Sequence, residues 1–174
     1  MPSSSRDRVR ERFAARCGYC GVSDVAIGST LTIDHHRPRS WGGGDEDENL
    51  IYACSRCNEH KGAYWHEHHP PHVPLLHPGH HDLALHVREG ADGCLVGLTP
   101  EGMFLIERLR LNRAPLVSHR LGLRAAAVQR EALDAARVKV HELEQRISRM
   151  RADFDSTVDE IQQQTSTDEG GDEP

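Results

Sequence analysis

The stretch from Leu31 to Gly62, LTIDHHRPRSWGGGDEDENLIYACSRCNEHKG, gathers Asp34, His35, His36, Asn49, Asn58 and a Cys-x-x-Cys pair. A second such pair stands upstream, so Cys17/Cys20 and Cys54/Cys57 form two knuckles separated by a loop. Each knuckle turns the backbone so that both sulfurs lie on one side, and two of them supply four thiolates to one tetrahedral zinc. The alternative is four cysteines buried as small apolar residues, which the doubled spacing disfavours. A shell of four thiolates leaves no open position for water or substrate. The spacing therefore predicts a structural zinc that contributes to folding rather than to catalysis. The fifth cysteine, Cys94, lies in the apolar run CLVGL and is expected in the core.

The elements that must position these groups are short. Arg6 to Arg16 reads as a helix with Val9 and Phe13 on one face, ended by the knuckle Cys17-Gly18-Tyr19-Cys20-Gly21. Leu31-Thr32-Ile33 and Leu50-Ile51-Tyr52-Ala53 are β-prone, with Gly42-Gly43-Gly44 and four acids in the loop between them. Asn58 to Lys61 can begin a helix that Pro70 and Pro71 must stop. A zinc joining the two knuckles brings Asp34 and Asn58 together. Farther on, Cys94 to Leu98 is another short strand, and Thr99-Pro100-Glu101 is a helix start with Thr99 as N-cap.

Sparse aromatics, a hydrophobic fraction of 37% and charged residues at 28% argue against a large oily core among the 174 residues, so metal is the expected staple. The segment MPSSSRDRVRERF has no apolar run of signal-peptide kind, and no stretch reaches the length of a membrane span. A soluble protein in a reducing cytoplasm is the expectation. The net charge of −6 is unevenly placed: Ala152 to Pro174 holds eight acids and no Lys or Arg, and without it the balance is +2. Arg6, Arg8, Arg10, Arg12, Arg16, Arg37 and Arg39 make the front basic, either as a surface for phosphates or as a solvated face.

The residues Cys17-x-x-Cys20, Asp34-His35-x-x-Pro38-x-Ser40, Gly42-Gly43, Asn49-Leu50, Cys54-x-x-Cys57-Asn58 and Lys61-Gly62 together resemble the HNH endonuclease family, in the form whose ββα-metal motif is bracketed by two zinc knuckles. The resemblance implies an α+β fold with a small ββα-metal core and DNA phosphodiester hydrolysis leaving 5′-phosphate and 3′-hydroxyl ends. It also implies His35 as general base, Asp34 and Asn58 as ligands of a divalent cation, and Asn49 as a group orienting His35. The types suit the task. An imidazole titrating near neutrality takes a proton from water, and oxygen donors favour Mg2+ or Mn2+. Some members use a His-His pair with metal on the first and base on the second. Spacing to Pro38 and Ser40 favours His35 as base here and leaves His36, where the pattern has an apolar residue, as phosphate contact or auxiliary ligand. Arg37, Arg39 and Lys61 are candidates for phosphate contact. DNA is the expected partner, with RNA not excluded.

The expected organisation is a nuclease core with zinc over 6–69, an extension of short strand and helix over 70–118, a long helix over 119–157 and an acidic disordered tail over 158–174. The extension resembles that of one bacterial subgroup, with His77 and His86 matching and an aromatic residue near Leu83 absent. The run His66, His68, His69, His72, His77, His80, His81 reads either as a second metal site or as scattered surface histidines. Leu133, Ala136, Val140, Leu143, Ile147, Met150 and Phe154 alternate steps of three and four, a heptad seam. It would pair two chains as a homodimer through 133–154, or fold back with Val128 and Leu133 on the core. Competing with the nuclease reading are a non-catalytic zinc nucleic-acid-binding module and a component activated only by a partner.

Overall fold

The computed structural model describes residues 5–168, with side chains to Glu160. It divides into two compact units, residues up to Leu123 and residues from Arg124. The segment 70–118 therefore shares one unit with 6–69.

In the first unit α1 (Ser5–Arg12) buries Val9. It stops short of Arg16 because Ala14 and Ala15 take positive φ, 49° and 56°, which no L-residue helix contains. The turn feeds the first knuckle, where Gly21 donates to Cys17 O and Cys17 donates to Val22 O, both at 2.8 Å. A four-residue helix, α2 (Asp24–Ile27), follows, capped by the Ser23 hydroxyl. The central hairpin is antiparallel: β1 (Thr32–His35) pairs with β2 (Leu50–Ala53) so that Asp34 faces Ile51 and His35 faces Leu50. All four β2 residues are buried, which makes this strand the middle of the molecule. Behind it α3 (Ser55–Lys61) starts at Cys54, whose sulfur accepts from Cys57 N, and ends at Gly62. The result is an α+β fold with a ββα core, and the four cysteines cluster beside it.

The extension adds a hairpin, β3 (Val87–Glu89) with β4 (Leu95–Gly97), and α4 (Pro100–Arg108), whose N-terminus Thr99 caps through Gly102 N. Phe104, Leu105, Leu109, Leu111 and Leu116 join Tyr64, Leu75 and Leu76 in the same buried cluster as β2. Cys94 is the exception to the expected core: it is half-exposed at the hairpin turn, because the turn rather than the strand holds it.

In α5 (Ala114–Asp168), the residues from Arg124 make up the second unit. The helix continues through the segment expected as tail because no Gly or Pro stands between Leu123 and Gly170. The rest of that tail lies outside the described residues. Val128 and Leu133 are 62% and 53% exposed. Among the described residues no helix is long and apolar enough to cross a membrane.

Candidate metal centre and active site

The four cysteine sulfurs lie within 4.8 Å of one another, with Cys20 Sγ 3.8 Å from Cys54 Sγ. A tetrahedron of Zn–S bonds of about 2.3 Å has edges of about 3.8 Å, so the cluster fits zinc. Without a metal the thiols share protons: hydrogen bonds from neighbouring thiols hold Cys17 and Cys54 down and push Cys20 and Cys57 up. A guanidinium from the extension meets the cluster, with Arg113 Nη2 at 3.7 Å from Cys57 Sγ and 4.0 Å from Cys54 Sγ. Thiolates carry more charge than zinc cancels, so a cation there offsets the excess. Among the described residues this is the one convergent group of three or more His, Cys, Asp or Glu, and the His-rich run does not assemble a second.

The knuckle also reaches the inner face of β1. Tyr19, buried between Cys17 and Cys20, donates its hydroxyl to Asp34 Oδ2 at 2.7 Å. Lys61 Nζ lies 3.0 Å from Asp34 Oδ1 and donates to His35 O at 2.6 Å. Lys61, a candidate for phosphate contact in the sequence, is 1% exposed and holds the strand from within. Arg108 of α4 fastens it further by donating to Lys61 O at 2.6 Å. Burial pushes the Asp34 carboxyl up and the Lys61 ammonium down, and their mutual attraction opposes both shifts.

Strand alternation turns Asp34 inward and His35 outward. A cavity of about 280 Å³ opens at the strand end, lined by Asp34, His35, Arg39, Asn58 and Lys61. Asn58 and Lys61, three apart on α3, share the face that looks into it. The Asn58 amide makes no side-chain hydrogen bond among the described residues and is available as an oxygen ligand. Each Asp34 oxygen already accepts one bond, yet a carboxylate offers about four acceptor sites. Asp34 and Asn58 thus fit a hard divalent cation that takes the rest of its shell from water and phosphate.

His35 Nε2 lies 2.6 Å from Asp45 Oδ1 and 3.2 Å from Arg39 Nε, and Arg39 also pairs with Asp45. The first contact needs a proton on Nε2 and the second needs a bare Nε2, so they belong to different tautomers. Nδ1 makes no hydrogen bond among the described residues. Asn49 makes no hydrogen bond to the His35 ring. Its side chain accepts from Arg37 N at 2.8 Å and donates to Gly44 O and Arg37 O at 2.9 and 3.1 Å, while its carbonyl accepts from His36 N. Asn49 therefore shapes the loop that carries Arg39 and Asp45. Gly43 is required at the crossing, because a Cβ there would sit 1.8 Å from Arg37 O.

His36 packs away from the cleft. Its Nε2 lies 3.1 Å from Leu75 O, and its ring meets Trp65 and His77 edge-on at centroid distances of 6.1 and 4.6 Å. The sequence position that favours an apolar residue is filled here by a half-buried imidazole joining core to extension. Arg37 and Arg39 remain exposed beside the cleft, although the Arg37 Nε donates to Trp41 O at 2.7 Å. The front arginines are largely clamps: Arg8 pairs with Asp47 at 3.0 Å, Arg10 with Asp24 at 2.7 Å, and Arg12 donates to Asp47 O and Leu50 O.

Tyr19, Arg113 and the buried role of Lys61 were missed from the sequence. Only Tyr19 carried a signal, its place inside a zinc knuckle. No curated protein and no solved structure matches the chain. The family model of the HNH endonucleases matches residues 17–64, from Cys17 through α3 to Tyr64, so this segment of the chain is similar to an HNH endonuclease domain.

Proposed function

We propose that the protein is a metal-dependent endonuclease that hydrolyses DNA phosphodiesters, with His35 as general base. The observation that carries this reading is the shared cavity of Asp34, His35 and Asn58, two oxygen donors and one imidazole at the end of β1. A divalent cation, Mg2+ or Mn2+, held by Asp34 and Asn58 supplies charge for the phosphate and the leaving oxygen. His35 Nδ1 takes the proton of the attacking water as the water oxygen bonds to phosphorus. The bond from phosphorus to the 3′ oxygen breaks, that oxygen is protonated from solvent, and the products end in 5′-phosphate and 3′-hydroxyl. Asp45, when bonded to Nε2–H, fixes the tautomer that leaves Nδ1 free. Arg37 and Arg39 supply the exposed charge for phosphate contact. RNA is the alternative substrate.

The zinc has no catalytic part and holds Tyr19 and α3 against Asp34. Free thiols throughout suit a reducing cytoplasm. The exposed seam over 133–154 supports pairing of two chains. One observation favours the non-catalytic binding module: Asp34 is already engaged by Lys61 and Tyr19. Nicking of supercoiled plasmid, metal-dependent and lost in His35→Ala, decides between the two readings.

A further inference from the structure

The second unit presents a continuous apolar face. Leu133, Val140, Leu143, Ile147, Met150 and Phe154, spaced at heptad core positions, are each between 47% and 68% exposed. Side chains of this size in water on a helix specify a partner of the same period. We propose that the occupant is a second copy of this chain, running antiparallel, in the register that sets Ile147 against the partner's Met150, Leu143 against the partner's Phe154 and Val140 against the partner's Thr157. The proposal deepens the pairing named above and rests on it, while owing nothing to the cleavage chemistry.

Flanking charges select this arrangement. In an antiparallel pair the residues just before the a positions face one another, as do those just after the d positions. The stated register then places Arg146 beside the partner's Asp153, Lys139 beside the partner's Glu160 and Glu144 beside the partner's Arg151. Two-fold symmetry repeats each contact, so six opposite-charge contacts form and no like-charge contact. Sliding by one heptad in one direction sets Arg146 and Glu144 each against its own copy, and Arg137 against Arg151. Sliding the other way sets Asp153 and Arg151 each against its own copy. A parallel pair keeps Lys139 with Glu144 but opposes Arg146 to Arg151. Only the antiparallel register above is free of like-charge conflict.

Arg151→Glu separates the arrangements, because it places Glu opposite Glu144 in the antiparallel pair and opposite Arg146 in the parallel one. Sedimentation equilibrium of the zinc-loaded full chain is the measurement, with helicity by circular dichroism confirming that each variant is folded. The wild type is expected to be a dimer, Arg151→Glu to raise its dissociation constant by roughly tenfold, and Glu144→Arg combined with Arg151→Glu to restore it. A dimer tightened by Arg151→Glu overturns the antiparallel register in favour of the parallel pair. A dimer indifferent to the substitution removes the seam as the interface, and a wild type that is monomeric at every concentration removes pairing itself. His35→Ala protein should associate as the wild type does, which keeps a failure of the nuclease reading distinct.

Discussion

Lys61 Nζ sits 3.0 Å from Asp34 Oδ1 with both side chains buried, 1% and 6% exposed. Taking both charges from water is costly, and breaking such a pair by removing one partner leaves the other stranded. Lys61→Met should therefore lower the unfolding free energy of zinc-loaded protein by about 3–5 kcal/mol in urea titration. A change under about 1 kcal/mol would mean that water reaches Asp34 and that the pair is not a structural link.

Arg113 lies within hydrogen-bond range of two zinc cysteines although it follows them by more than 50 residues, as Arg113 to Cys57 spans 56 positions. Groups that hydrogen-bond metal ligands typically contribute 10–100-fold to metal affinity. Arg113→Leu should raise the zinc dissociation constant by about that factor in chelator competition. Full removal of zinc should unfold the first unit, since the knuckles are otherwise joined only by weak hydrogen bonds among their thiols. A stable metal-free fold by circular dichroism would contradict this.

Acid should loosen the junction between core and extension. Burial holds His36 down at about 3 and His77 down at about 4, against the ordinary 6.5. The folded state therefore binds fewer protons than the unfolded chain below pH 6.5. The contribution of both rings is complete above that pH and declines as pH falls from 6.5 toward 4. Between pH 7 and 5.5, with zinc in excess, stability should drop by about 2 kcal/mol more in wild type than in the double variant His36→Leu/His77→Leu. Parallel curves for the two proteins would show that these rings are hydrated or protonated in the fold.

The sequence made local features plain because their causes are local. Two Cys-x-x-Cys spacings predicted the sulfur cluster, Thr99-Pro100 predicted the start of α4, and Leu50 to Ala53 forms β2 with the expected bounds. What escaped was set by partners far along the chain. Lys61 reads as a surface cation until α3 packs on β1 and Arg108 closes over it. His36, adjacent to His35, is assigned to the extension by Leu75, 39 residues on. The front arginines looked like a basic face because their acids, Asp24 and Asp47, are neighbours only in space. Helix persistence to Asp168 shows the converse, that polarity alone does not end a helix where no Gly or Pro stands between Leu123 and Gly170.

We propose that Asp34, His35 and Asn58 form a hydrolytic site on a zinc-held scaffold. The most direct test is nicking of supercoiled plasmid by zinc-loaded protein with Mg2+ or Mn2+ and with EDTA, beside His35→Ala and His36→Ala at matched zinc content. Metal-dependent nicking is expected, with a loss of about 10²–10⁴-fold in His35→Ala and substantial activity retained in His36→Ala. Full activity in His35→Ala, or no nicking by folded wild type under either metal, would contradict it.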